Sequence, residues 1–124
     1  MAILFLVRHG QNGMVGKKLA GRLPGVHLNH EGQAQARRLA AEFSTLPLKA
    51  VYASPLERAQ ETAEPIARVH GLSVETLPGL LEIDFGDWQG KRLKRLKHGR
   101  MWKAVQGRPA EFRFPNGESF LEAQ

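Results

Sequence analysis

Ala2-Ile3-Leu4-Phe5-Leu6-Val7-Arg8-His9-Gly10 is the stretch from which the fold of this chain can be read. Six consecutive apolar residues without alternation predict a strand buried on both faces, as in a parallel sheet covered by helices. The run is short for a helix, and Gly10 would stop one. Arg8 and His9 then fall at the carboxyl end of a central strand, where open α/β sheets place their ligands. Two polar side chains at the tip of an apolar strand need partners, and a bound anion would provide them. Gly10 lets the backbone turn sharply and come close to its surroundings.

The segments that follow supply the rest of such a sheet. A polar, glycine-rich connector from 11 to 29 carries Lys17, Lys18 and Arg22, with a turn at Pro24-Gly25. Asn29 reads as an N-cap and Ala36, Leu39, Ala40 and Phe43 recur at helical spacing, which predicts a helix over about 30–44. Residues 49–53 read as a second short strand. Ser54-Pro55-Leu56-Glu57 has the pattern of a capping box with proline at the first helical position. It predicts a helix to about residue 70, with Pro65 removing one hydrogen bond and Gly71 ending it. Residues 72–77 form a third candidate strand. Strand–helix–strand–helix–strand is the order of an α/β fold with a parallel sheet and right-handed crossovers. Beyond Pro78 the signals weaken to a glycine-flanked turn at 85–88, a basic helical segment at 91–105 with Leu93 and Leu96 inward, a Pro115-Asn116-Gly117 turn, and the start of a helix at 118–124.

Composition bounds the function. The 124 residues make one domain, and 42% apolar with 24% charged residues is ordinary for a soluble globular protein. No apolar run approaches the roughly 20 residues that span a bilayer. The first segment has no basic leader or small-residue cleavage site, and there are no cysteines. A cytoplasmic protein without disulfides or thiolate metal sites is therefore expected, with no membrane partner. Residues 1–90 hold nine Lys/Arg and nine Asp/Glu, whereas residues 91–124 hold nine and three. Seven of those nine cations lie between Lys91 and Lys103 with no acid among them. This is either a solvated basic face or a field that attracts phosphorylated metabolites or nucleic acid. Without interleaved aromatics apart from Trp102, nucleic acid is the least favoured partner.

Arg58 is the odd residue of the second helix. A cation in the first turn opposes the helix dipole unless an anion sits there too. The alternative is a surface arginine paired with Glu57 or Glu61. His27 and His30 have a metal-like spacing but no third ligand, and no metal site is assigned to them.

Val7-Arg8-His9-Gly10, Ser54-Pro55-Leu56-Glu57-Arg58-Ala59-Gln60-Glu61-Thr62-Ala63 and Leu81-Glu82-Ile83-Asp84-Phe85-Gly86-Asp87-Trp88-Gln89-Gly90 resemble, in order, motifs of the histidine phosphatase superfamily, the phosphoglycerate-mutase-like proteins. Pro115-Asn116-Gly117-Glu118-Ser119 is similar to a later motif. The resemblance covers essentially the whole chain. It implies a three-layer αβα sandwich around a mostly parallel sheet, and a metal-independent, cofactor-free phosphomonoesterase acting on a small phosphorylated metabolite. His9 would be the nucleophile, taking the phosphoryl group as a phosphohistidine. Arg8 and Arg58 would hold its equatorial oxygens. Glu82 would protonate the leaving alcohol and then assist water. Asn12 and the Gly21 amide would contact the phosphate.

The chain also departs from the family pattern. Gln11 and Asn12 stand where an acid and a threonine are usual, and Val15 where an asparagine is frequent. The family's second histidine has no counterpart, since neither His70 nor His98 lies in its motif. With a final helix of about a turn and a half, this leads to the expectation of a C-terminally truncated domain lacking its last strands. A homodimer pairing through the open sheet edge would replace them. Three readings follow: a phosphatase (or, in a longer parent, a mutase), an impaired relative that binds phosphate without turnover, and a basic nucleic-acid-binding module.

Overall fold

The computed structural model describes residues 1–124. Its architecture is α/β, and between residues 30 and 76 it follows the predicted order. Helix α1 spans His30–Phe43, and the Asn29 side chain caps it by accepting the Gly32 N–H at 2.8 Å. Strand β1, Val51–Ala53, pairs in parallel with β2, Val74–Thr76, placing Val51 opposite Val74 and Ala53 opposite Thr76. Helix α2, Glu57–Val69, makes the crossover and packs on both strands and on α1. Ala36 and Ala40 of α1 and Ala63, Ile66 and Ala67 of α2 are buried. Pro65 sits inside α2, and Gly71, at φ +64°, ends it in the left-handed conformation that glycine adopts at least cost.

Two expectations are corrected. Residues 2–7 are not a buried strand: they pair with no other strand, and Leu4 and Leu6 are 83% and 96% exposed. A strand apolar on both faces buries that surface only when ladders flank it and helices cover it, and the sheet here stops at β1 and β2. Phe5 alone makes an aromatic contact, with Phe43 of α1. The second correction concerns Ser54, which is not the cap of α2. Its hydroxyl accepts the Leu56 N–H at 3.3 Å and the helix starts at Glu57, because the Glu57 carboxylate is engaged by the Gly25 N–H at 2.8 Å. The reciprocal pair of a capping box forms instead at Ser119 and Glu122, at the head of α5, Phe120–Ala123.

The second half is built around aromatic packing. Ile83, Trp88, Leu96, Phe112 and Phe114 form one buried cluster, with Trp88 and Phe114 edge to face at 5.3 Å. The basic segment folds as two short helices, α3 (Leu93–Lys97) and α4 (Arg100–Gly107), which place Leu96 in this cluster and Leu93 against it. Gly86, at φ +52°, lies directly against the Pro115 carbonyl, so the 84–88 and 114–118 turns interlock where a side chain would not fit. The connector joins the same body: Leu19 donates to the Lys91 carbonyl at 3.0 Å and Leu93 to that of Lys17 at 2.9 Å.

Candidate active site

Arg58 is the centre of the arrangement. It lies in the first turn of α2 and is only 2% exposed. Its Nη2 donates to the Gly21 carbonyl at 2.6 Å, and its buried Nη1 has no partner. Burial pushes the guanidinium below its ordinary pKa, and the charges of Glu82 and then Glu57 oppose that shift. The surface ion pair that would have made Arg58 ordinary does not form. Glu57 is held by Gly25 as described, and the Glu61 carboxylate is engaged by the His27 ring and by the Leu28 N–H. A buried cation with a free N–H fork and a helix N-terminus beside it suits a tetrahedral oxyanion.

His9 is brought to this helix by Thr62. The Thr62 hydroxyl donates to the Arg58 carbonyl at 2.7 Å, one turn earlier, and accepts the Gly10 N–H at 3.0 Å. The Gly10 carbonyl in turn faces His9 Nδ1 at 2.8 Å. A carbonyl can only accept, so this contact puts the proton on Nδ1 and leaves the lone pair on Nε2. Hydrogen bonds through both polar groups of Gly10 and the Thr62 hydroxyl thus run from the imidazole to the backbone of the helix turn that carries Arg58. Gly10 is needed there, because a Cβ on it would stand 2.7 Å from the Gly32 carbonyl oxygen of α1.

The other expected residues are placed as follows. Gly21 is buried at φ +54°, and it presents its carbonyl to Arg58 while its N–H engages no acceptor in the chain. Asn12 is buried and spends its side-chain oxygen on the Met14 N–H at 2.9 Å, which leaves the amide NH2 for other contacts. Glu82 is exposed and accepts the Ile83 N–H at 3.0 Å. Arg8 is exposed and makes no hydrogen bond or ion pair within the chain. His70 donates Nε2–H to the Phe43 carbonyl at 2.9 Å, and His98 lies in the basic segment, so neither stands with His9.

Three residues to which the sequence assigned no site role complete the frame. Arg22 donates Nε–H to the Glu82 carbonyl at 2.6 Å and Nη2–H to both Glu118 oxygens at 3.1 Å. Glu118 also accepts the Asp84 N–H at 3.0 Å, so it clamps the segment that carries Glu82. Gln89 accepts the Arg22 N–H at 2.7 Å and packs against Gly21. Thr62 could have been found from its i, i+4 spacing to Arg58, whereas Arg22 and Glu118 are 96 residues apart and carry no such sign.

The chain is similar to known proteins in sequence and in fold. A sequence profile described as histidine phosphatase superfamily (branch 1) matches residues 4–124. Phosphoserine phosphatase 1 of Hydrogenobacter thermophilus is 33% identical over 124 residues, covering 96% of this chain and 57% of its own length. The crystal structure of the alpha-ribazole phosphatase from Shigella flexneri superposes with a TM-score of 0.81 at 30% identity, over 94% of this chain and 59% of that one. The mycobacterial glucosyl-3-phosphoglycerate phosphatase superposes with a TM-score of 0.79 at 28% identity, over 90% and 53%. The chain thus spans somewhat more than half the length of these relatives. With the profile match running across nearly all of its residues, the chain belongs to the histidine phosphatase superfamily, branch 1.

Proposed function

We propose that this chain carries the phosphoryl-transfer half-site of a phosphomonoesterase that works through a phosphohistidine at His9. The observation that carries the reading is the buried Arg58 guanidinium, one amino group tied to Gly21 and the other without a partner, on the helix turn that Thr62 joins to the His9 loop.

In the first step His9 Nε2 attacks phosphorus. The P–N bond forms, the bond to the ester oxygen breaks, and Glu82 gives its proton to the departing alkoxide. Arg58 balances charge on the equatorial oxygens, with Arg8, the Asn12 amide and the Gly21 N–H as further donors. In the second step Glu82 takes a proton from water as the water attacks phosphorus. The P–N bond breaks and inorganic phosphate leaves. The substrate is a small phosphomonoester. Hydrolysis is favoured over transfer to a second acceptor because the connections around the site are short.

A second reading, phosphate binding without turnover, is favoured by the placement of His70 and His98. Neither stands where it could assist His9. Hydrolysis of p-nitrophenyl phosphate by wild type and His9→Ala, with acid-labile label from a 32P-substrate trapped by rapid quench, separates the two. Turnover and label in wild type alone support the phosphohistidine reading. Equal rates in both proteins overturn it. Saturable phosphate binding without either signal gives the second reading.

A further inference from the structure

The basic segment borders a shallow, solvent-open concavity that the proposed chemistry does not use. Its volume is about 540 Å3, and apart from Gly90 its lining is Lys18, Lys91, Arg92, Lys94, Arg95 and His98. Lys18 comes from the connector, more than 70 residues away in the chain, and is brought in by an antiparallel bridge to Arg92. No carboxylate and no apolar side chain lines the space. The ion pairs of the protein are made by Arg22, His27, Arg38, Arg68, Arg108 and Arg113, so none of the five lining Lys/Arg residues has an acidic partner.

Such clustering opposes the fold. Arg92 stands three residues before Arg95, a spacing at which like charges repel. A solvated basic face would spread these charges over a convex surface. Here they converge on a hollow whose size lies within the range of about 300–1,000 Å3 typical of small-molecule sites.

We propose that this concavity is a binding site for a small, multiply charged anion of the oligophosphate or polyphosphorylated-metabolite class. The cations supply charge at several points, as such a ligand requires. Nucleic acid is the poorer fit. Single strands need aromatic stacking platforms, and the one tryptophan of the segment, Trp102, is stacked on Trp88 at 6.0 Å and packed against the core. The inference does not depend on hydrolysis at His9.

Inorganic tripolyphosphate tests it by isothermal titration against wild type, the Lys18→Gln/Arg95→Gln double variant and Arg58→Met, at low and moderate salt. The expected result is saturable binding to wild type, a Kd at least tenfold weaker in the double variant, and a Kd within twofold of wild type in Arg58→Met. Binding should weaken as salt rises. The exposed lining residues leave folding intact, which matching thermal melts check. Absence of saturable binding overturns the proposal, as does an equal Kd in the double variant. Loss on Arg58→Met alone also overturns it, because the anion then sits at the candidate active site. Tighter binding of duplex DNA than of tripolyphosphate at the same salt overturns the small-anion assignment.

Discussion

The Thr62 hydroxyl receives the Gly10 N–H at 3.0 Å, which fastens the loop bearing the imidazole to the helix bearing Arg58. Removing that hydroxyl leaves a buried N–H without an acceptor, a loss of about 1–3 kcal/mol. It also loosens Gly10, the residue whose carbonyl fixes the His9 tautomer. Thr62→Val is expected to lower kcat/KM by about ten- to a hundredfold, as misplacement of a reacting group by about an ångström does. Thr62→Ser keeps the oxygen and should stay within about threefold of wild type. A purely structural role would instead lower the melting temperature of Thr62→Val with little change in its kcat.

Arg58 carries a buried charge with half of its guanidinium unpaired, so it contributes less to stability than to anion binding. Phosphate that binds the folded chain raises its melting temperature by mass action. Wild type should show that rise on going from no phosphate to saturating phosphate, and Arg58→Met should show none. A phosphate-dependent shift of equal size in both proteins would remove Arg58 from the site.

Glu118 holds Arg22 by two contacts and the Asp84 N–H by a third, and Arg22 holds the Glu82 carbonyl. Glu118→Gln loses the paired charge of this clamp while keeping its shape. It should lower kcat about tenfold with KM changed much less, because the role proposed for Glu82 is in protonating the leaving group and not in binding. Steady-state kinetics on p-nitrophenyl phosphate check the split, and an equal rise in KM with constant kcat would contradict it.

His27 lies against Glu61, and that hydrogen bond, followed by the carboxylate's charge, raises the imidazole above its ordinary pKa of 6.5. A histidine raised in the folded state contributes stability that is fully present below about pH 6.5, the unfolded value, and is lost as pH climbs through the folded value. Thermal melts from pH 5.5 to 8.5 should show wild type losing more stability across this window than His27→Gln. Parallel curves for the two proteins would refute the linkage.

Gly86 stands at φ +52° with the Pro115 carbonyl where a Cβ would lie. Gly86→Ala therefore combines a left-handed backbone penalty of about 1–2 kcal/mol with displacement of the neighbouring turn. Chemical denaturation should show a loss of about 2 kcal/mol or more, whereas Gly79→Ala, with nothing near its Cβ, should change stability far less.

The local grammar of the chain was readable without coordinates. Asn29 as a cap, the 3.6-residue spacing through α1 and α2, the stop at Gly71 and the Pro115-Asn116-Gly117 turn depend on residues within a few positions of one another. His9, Arg58 and Glu82 were named through the family motifs they stand in, each a short stretch of sequence. What tertiary structure decided were the long-range terms. The apolar run at 2–7 has every intrinsic feature of a central strand, yet burial depends on ladders from elsewhere, and none reaches it. Ser54 lost its capping partner because Glu57 met Gly25, 32 residues earlier. Arg22 and Glu118, and Lys18 with the basic segment, were joined by contacts that no short pattern encodes. Sequence spacing specifies helices, turns and the candidate chemistry, whereas the pairing of distant hydrogen-bonding groups and charges is settled only when the chain closes on itself.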